Sequence, residues 1–505
     1  MTRPIAWDLR IDWDADGSYT DESSRLLMAN GAMRLAAPES GITSPRGTVD
    51  QCTLTLKNVD GRYSPLNTSS PLYDDIKLGG AYHAPMYLRV SIDGGSNYDR
   101  VFTGVIKIPR EGPPYPSVGA TVQIDCRSRD EILLNKRIST PLSSFQALHN
   151  NNSTESEIIA SFLTAAGISS SDYTLDPGLF VIPWAWLDDE SPIEDIWKMA
   201  AACGGRFYCD PDGEFRYENM THWLMSPHDT SQETLTKSGY GQMDGPIYDD
   251  RELYSGVTVI ASPRDLLQTG TLWESDRTVV IPADTTQTIV AKLRQPAYSI
   301  DSVNYTAVSA GGTDMSGSVS ITTTEYAQRV ELEIVNSHAT YAVELVALSL
   351  TGITVSGGPS VEETLTSSKA FWSSFTSSRP GRTRLVRGNE YVQTQAQALT
   401  LCEFLRDRYE LPRLSWVLRN VPGVPGRRLG DRITVGNADA MSANRDAFIT
   451  GITWRLSNRG FAQDLELIDR GNVTDGNGLY KFDEYFILGT NELGAATYDI
   501  APIYY

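Results

Sequence analysis

The sequence predicts a mainly β, multidomain protein with a small α+β part. Short runs in which apolar and polar residues alternate recur through most of the 505 residues, and turn-forming Gly, Pro, Asn and Asp separate them. A chain of this length exceeds what one hydrophobic core normally organises. Two amphipathic helical patterns interrupt the β pattern between residues 154 and 205.

The first predicted unit is a β domain. Alternating runs such as AWDLRIDW, CTLTLKNV and MYLRVSI fill residues 1–126. The pattern returns in LYSGVTVIA, so we expect residues 240–277 to continue the same domain after an interruption.

The interruption, residues 127–239, is predicted to be an α+β domain. Thr154 and Glu157 form a capping box ahead of a helix over 154–166. A second helix begins with Ser191 as its cap and a proline in its first turn. The segment RFYCDPDGEFRYEN then carries a strong hairpin signal in its Asp-Pro-Asp-Gly turn.

The C-terminal half is predicted to contain two further β units. Closely spaced short strands make residues 278–365 an inserted β-sandwich, flanked by Ser- and Gly-rich stretches. Residues 366–470 form a second β domain that opens with a helix over 393–409. The Gly-, Asn- and Tyr-rich segment 471–505 is expected to be an extended arm.

Composition excludes several classes of protein. The five cysteines are sparse and odd in number, which predicts small buried residues instead of a disulfide framework or zinc site: Cys52, Cys126, Cys203, Cys209 and Cys402. A net charge of −20 without a basic stripe argues against stable nucleic-acid binding. We find neither a secretory signal nor a stretch long and apolar enough to be a membrane segment.

One local pattern suggests a cation. Asp12, Asp14 and Asp16, followed by Gly17, match the first half of a calcium-binding loop. The twelfth position is Ser23, where such loops need a bidentate glutamate. The alternative is that this segment is only an acidic turn between two strands. Ca²⁺ is the only cofactor that the sequence suggests.

Catalysis has little support. The carboxylates 188–190 follow the aromatic run Trp184-Ala185-Trp186, and paired carboxylates beside tryptophans can hydrolyse glycosides. They also precede a helix, where acidic residues are favoured electrostatically. We find no GxSxG or HExxH motif and no phosphate-binding glycine loop, so we expect a protein that is not an enzyme.

Four stretches resemble the tail-tip or baseplate hub proteins of long-tailed bacteriophages, which are related to the contractile-phage baseplate hub. They are DLRIDWDADGSYTDESSRL, GGRFYCDPDGEFRYEN, GNEYVQTQAQALTLCEFLRDRYELPRLSWVLRNVP, and RRLGDRITV with AFITGITWRLSNRGFAQDLELID. The resemblance spans most of residues 1–470. It implies that the two β domains are barrels related to tail-tube subunits.

The resemblance also implies an assembly. A homotrimer would form a pseudo-sixfold ring in the tail tip of the virion, after synthesis in the host cytoplasm. Its expected partners are the distal tail protein ring, the C-terminus of the tape-measure protein and a central fibre or spike. DNA would pass through the ring without specific binding, because the negative charge of the protein would repel the DNA phosphates.

Two other functions stay open at this point. The chain could be a carbohydrate-binding receptor-recognition protein of the tail that uses the sandwich 278–357. It could also be a glycosidase that uses the carboxylates 188–190.

Overall fold

The computed structural model describes residues 4–35, 47–115, 119–249, 253–369, 372, 385–411, 413–436 and 444–469. The predicted arm 471–505 lies outside the described residues. The described chain is mostly β-structure in several sheets, in agreement with the predicted fold class. None of its helices combines the length and the apolar character that a membrane crossing requires.

The elements run in the following order. The N-terminal part contains β1 (Ala6–Ile11), β2 (Thr20–Asp21), β3 (Leu26–Arg34), β4 (Gln51–Lys57), α1 (Asp74–Gly80), β5 (Pro85–Ser91), β6 (Asp99–Ile106), β7 (Arg110–Tyr115) and β8 (Gly119–Ser128). The α+β part contains α2 (Asp130–Asn135), β9 (Ile138–Ser139), α3 (Leu142–Asn150), α4 (Glu155–Ala165), β10 (Tyr173–Leu175), β11 (Asp188–Glu190), α5 (Pro192–Ala202), β12 (Arg206–Cys209) and β13 (Phe215–Glu218).

The rest of the chain is almost entirely strand. It continues with β14 (Glu233–Leu235), β15 (Gln242–Asp249), β16 (Gly256–Ala261), β17 (Arg264–Leu266), β18 (Gly270–Glu274), β19 (Val279–Ile281), β20 (Thr285–Lys292), β21 (Ala297–Val308), β22 (Val319–Glu325), β23 (Arg329–Asn336), β24 (Val343–Gly357), β25 (Val361–Thr366) and β26 (Leu385–Arg387). It closes with α6 (Gln395–Tyr409), β27 (Arg413–Pro422), β28 (Arg432–Val435), β29 (Arg445–Ser457) and β30 (Gly460–Asp469).

One 14-stranded sheet joins the two ends of the chain. Its order is β15-β27-β30-β29-β3-β4-β8-β6-β5-β1-β2, with β7 beside β8 and with β28 between β29 and β14. The N-terminal and C-terminal segments, predicted as separate barrels, therefore contribute strands to the same sheet. They also share one hydrophobic core, which includes Leu54 and Leu88 from the first segment and Trp454 and Leu465 from the second.

The contact between the two segments is the antiparallel pair of β3 and β29. Gly31 stands opposite Trp454, a residue that is 1% exposed. A Cβ atom on Gly31 would lie 2.3 Å from that ring. A glycine inside a strand commonly marks such a close approach.

The second hydrophobic core contains a strand, β16, that the sequence analysis assigned to the first β domain. The strand β16 was expected to continue the first β domain, but it lies between β25 and β26 in a separate sheet. Both faces of β16 are covered, since Val257, Thr258 and Val259 are all buried. The helix α6 packs on β16 and β25 and shares a core with α4 and α5. A strand that is buried on both faces occupies such a central position.

The predicted local elements of the α+β part are present. The capping box of α4 forms, with the backbone N–H of Thr154 donating to Glu157 at 2.7 Å. The helix α5 begins at the predicted proline with Ser191 as its N-cap residue, but the Ser191 side chain makes no capping hydrogen bond; its hydroxyl donates to the carbonyl of Leu133. The predicted hairpin is β12–β13, closed by Gly213 with a positive φ of 87°.

The inserted unit has two sheets around a core of its own. The strand β24 pairs with β17, β18, β19 and β21 in one sheet, and β23 pairs with β20 and β22 in the other. Leu332 and Ile334 from one sheet and Leu345 and Leu350 from the other are fully buried. The unit begins at β17, earlier than the predicted boundary at residue 278.

All five cysteines are buried and free of disulfide bonds, as the sequence predicts.

Candidate functional site

The acidic turn after β1 is held together by its own first carboxylate. Asp12 is 2% exposed and accepts backbone hydrogen bonds from Asp16 at 3.2 Å and Gly17 at 2.8 Å. The carboxylate of Asp16 accepts from the N–H of Ser18 at 2.8 Å. Gly17 adopts a φ of +91°, which a residue with a side chain adopts only with strain.

The three predicted calcium ligands therefore have different surroundings. Asp12 points into the turn, whereas Asp14 and Asp16 are exposed. Within the described ranges, no three His, Cys, Asp or Glu side chains are already arranged around a metal position. Calcium binding at this turn stays a prediction.

A buried carboxylate beside this turn was not singled out by the sequence patterns. Glu22 is 1% exposed and accepts hydrogen bonds from Arg62 at 2.6 Å, Tyr63 at 2.7 Å and Trp13 at 3.1 Å. Burial, with the charge of Glu22, raises the pKa of the Tyr63 hydroxyl far above its usual range. This network anchors the loop 58–73 to the end of β1. Arg62 and Tyr63 lie 40 and 41 positions from Glu22, so no local pattern reveals these two donors.

The carboxylates considered for glycoside hydrolysis form the short strand β11 ahead of α5. Asp188 pairs with Ser139 in a short two-stranded sheet, and the N–H of Asp189 donates to the same serine. Burial and the neighbouring Asp195 raise the pKa of Glu190. Asp195 in turn accepts a hydrogen bond from Tyr391 at 3.0 Å, so this acidic group ties α5 to the segment before α6.

The adjacent tryptophans contact residues of the inserted unit. The indole N–H of Trp186 donates to Gln328 at 2.8 Å, and the guanidinium of Arg264 lies 4.6 Å from its ring. Trp184 stacks on His149 at 3.7 Å and donates to the carbonyl of Arg264. These rings join the α+β part to the insertion. This packing role accounts for the aromatic run without a bound sugar.

A cleft of about 500 Å³ lies between β6, α2 and the turn of the β12–β13 hairpin. Arg100 and Arg129 line it, but each donates to a backbone carbonyl of that turn, at 2.8 and 2.7 Å. Arg129 is also paired with Asp172 at 2.9 Å. The arginines thus fasten the hairpin to the large sheet.

No known family profile and no curated protein matches the sequence. Among solved structures, the chain is similar to the tail protein from Neisseria meningitidis MC58, with 11% identity, coverage of 92% of this chain and 97% of that one, and a TM-score of 0.48. It is similar to the 43 kDa tail protein of prophage MuSo2 from Shewanella oneidensis, with 13% identity, 91% and 97% coverage, and a TM-score of 0.44.

A third similar structure comes from Escherichia coli. It is a component of the type VI secretion system, described as structurally similar to the T4 bacteriophage tail proteins gp27 and gp5. Identity is 10%, coverage is 88% of this chain and 73% of that one, and the TM-score is 0.37. These three solved structures are a tail protein, a prophage tail protein and a component of the type VI secretion system.

Proposed function

We propose that this chain is the structural hub of a phage tail tip. In this proposal three copies form a pseudo-sixfold ring, to which each copy contributes two barrel domains. The ring joins the tail tube to a central fibre or spike, and its opening is the channel through which DNA leaves. We assign it no catalytic step.

The single sheet shared by the N-terminal and C-terminal segments is the observation that carries this proposal. The pairing of β3 with β29, together with the common core, fixes one segment against the other within a copy. A ring with six similar positions built from three chains needs two units per chain in a fixed orientation.

The strand β15 offers a surface for joining copies. Within the described residues it pairs with β27 on one side, and its other edge carries no strand. Ile247 on β15 is 60% exposed. An exposed edge strand readily accepts a strand from another chain, so edge pairing between copies would cover both the backbone and this side chain.

The charge of the chain suits a conduit. With a net charge of −20 per copy, a ring would repel the phosphate backbone of DNA wherever acidic residues face the channel. The neighbours that we propose are the distal tail protein ring, the tape-measure protein C-terminus and the fibre or spike. A calcium ion at the turn of Asp12, Asp14 and Asp16 belongs to the same proposal.

The mass of the full chain in solution tests the ring. Light scattering after size-exclusion chromatography is expected to give three times the monomer mass at micromolar concentration. The variant Ile247→Lys is expected to shift the chain towards the monomer, because a charged edge strand resists pairing. Val280→Lys is the matched control, since Val280 is 51% exposed on the insertion. A wild-type chain that stays monomeric, alone and with the other tail proteins, contradicts the proposal.

A further inference from the structure

A short segment, residues 221–229, connects the β12–β13 hairpin to the C-terminal strands of the large sheet. Trp223 stacks on Phe448 of β29, with ring centroids 4.7 Å apart. Arg432 of β28 donates to the backbone carbonyl of Asp229. We call residues 221–229 the connecting segment.

Two histidines of the connecting segment lie side by side. The ring centroids of His222 and His228 are 5.1 Å apart. His222 is held by carboxylates on both ring nitrogens, with Asp176 at 2.8 Å from Nδ1 and Glu218 at 3.6 Å from Nε2. His228 is 7% exposed, and its Nδ1 has no hydrogen-bond partner within the part of the chain that the structure describes.

The positive charges around the pair already offset its carboxylates when one histidine is protonated. Arg206 lies 3.7 Å from Glu218 and its guanidinium is 3.8 Å from the centre of the Trp223 ring. Arg206 and a protonated His222 offset the two carboxylates. A second proton, on His228, leaves an excess positive charge in a buried cluster, which is costly. Among the described residues, Arg408 adds a further positive charge beside Arg206, and Tyr208 and the backbone of Gly430, which also face the cluster, are neutral.

We propose that the His222–His228 pair makes the connecting segment sensitive to mild acid. The pair holds one proton with the contact intact, and a second proton releases the segment from β28 and β29. The hairpin and the large sheet then separate at the Trp223–Phe448 contact. This inference does not depend on the ring.

The direction of the pKa shifts agrees with this sequence of events. Burial lowers the pKa of His228, and the charge of His222 lowers it further. Burial also acts to lower the pKa of His222, but the hydrogen bond to Asp176 and the charge of Glu218 outweigh it and raise that pKa. His228 therefore takes a proton more readily when the segment is open, and acidification below about pH 6.5 favours opening.

Hydrogen exchange of the full chain, followed by mass spectrometry, tests the proposal. After correction for intrinsic exchange, opening of the connecting segment is expected to increase between about pH 6.5 and about pH 5, because the stabilisation of the closed state by His222 is already complete there, while His228 takes its proton more readily in the open state. The strand β29 is expected to stay protected. His228→Gln should abolish the increase, whereas His338→Gln, in the insertion, should keep it. Equal protection at both pH values overturns the proposal, as does an unchanged response in His228→Gln.

A second variant covers the case in which His228→Gln does not fold. His222→Gln removes the neighbouring positive charge, so the pKa of His228 is expected to rise towards its ordinary value. Titration of the His228 ring by NMR measures this directly. A pKa of His228 that is the same in the wild type and in His222→Gln would overturn the proposed coupling.

Discussion

Arg34 on β3 and Glu466 on β30 form an ion pair across the intervening strand β29, with Nη2 of the arginine 2.7 Å from the carboxylate. Both residues stand in register with Gly451 of β29. A Cβ atom there would lie 2.7 Å from the carboxylate, so a glycine leaves the space through which the two side chains meet. Both partners are about one-third exposed, at 35% and 37%. The pair therefore contributes little stability by itself, and packing must hold the two segments together.

The packing of Gly31 against Trp454 is expected to be the sensitive point of this junction. Gly31→Ala places a methyl group 2.3 Å from the indole and should lower the free energy of unfolding by about 1–3 kcal/mol or more, the usual cost of overpacking. Gly317→Ala is the control, because nothing lies within 4 Å of its Cβ position. Denaturant unfolding of both variants measures the difference, and equal stabilities would refute the role of this contact.

The network around Glu22 gives a second prediction. Glu22→Gln replaces the buried acceptor of Arg62, Tyr63 and Trp13 by an amide and leaves donors facing donors. We expect a loss of about 3 kcal/mol, the scale observed when one partner of a buried ion pair is removed. Hydrogen exchange should show increased opening of residues 58–73. The matched control is Glu194→Gln, because Glu194 is exposed. An equal loss of unfolding free energy in the two variants would argue against the network.

A third prediction concerns pH. Burial raises the pKa of Asp130 to about 7, well above the value of about 3.9 expected in the unfolded chain. The folded state thus binds the proton more tightly between these values, so this group's contribution to stability decreases as pH rises through that window. Asp130→Asn is expected to be more stable than the wild type near pH 8, by up to about 4 kcal/mol, with little difference near pH 4. Chemical unfolding at both pH values checks this, with the exposed Asp265→Asn as control. An advantage that is independent of pH would contradict it.

Calcium binding is the fourth prediction. Titration calorimetry with calcium is expected to show binding that Asp14→Asn with Asp16→Asn abolishes, since these are the exposed carboxylates of the turn. The control is Asp93→Asn, because Asp93 also accepts backbone hydrogen bonds in a glycine-containing turn. Absence of heat at millimolar calcium rules out the site.

Local features of this protein could be predicted because nearby residues decide them. The capping box of Thr154 and Glu157 spans four positions, and the turn that closes β12–β13 lies within one short segment. The burial of the cysteines follows from their chemistry in the same way. The Asp12 turn was visible as a pattern, although the burial of Asp12 was not.

Most strands and helices could be predicted from the sequence, because alternation and capping are local signals. The tertiary structure is needed to see that β3 pairs with β29, that β16 lies under α6, and that Glu22 accepts hydrogen bonds from three donors. Apart from Trp13, which is nine positions from Glu22, the partners are separated by tens or hundreds of residues, as with Arg34 and Glu466, which are 432 positions apart. Strand order depends on which buried faces fit together in space, and the periodicity of a single strand carries no information about its neighbour.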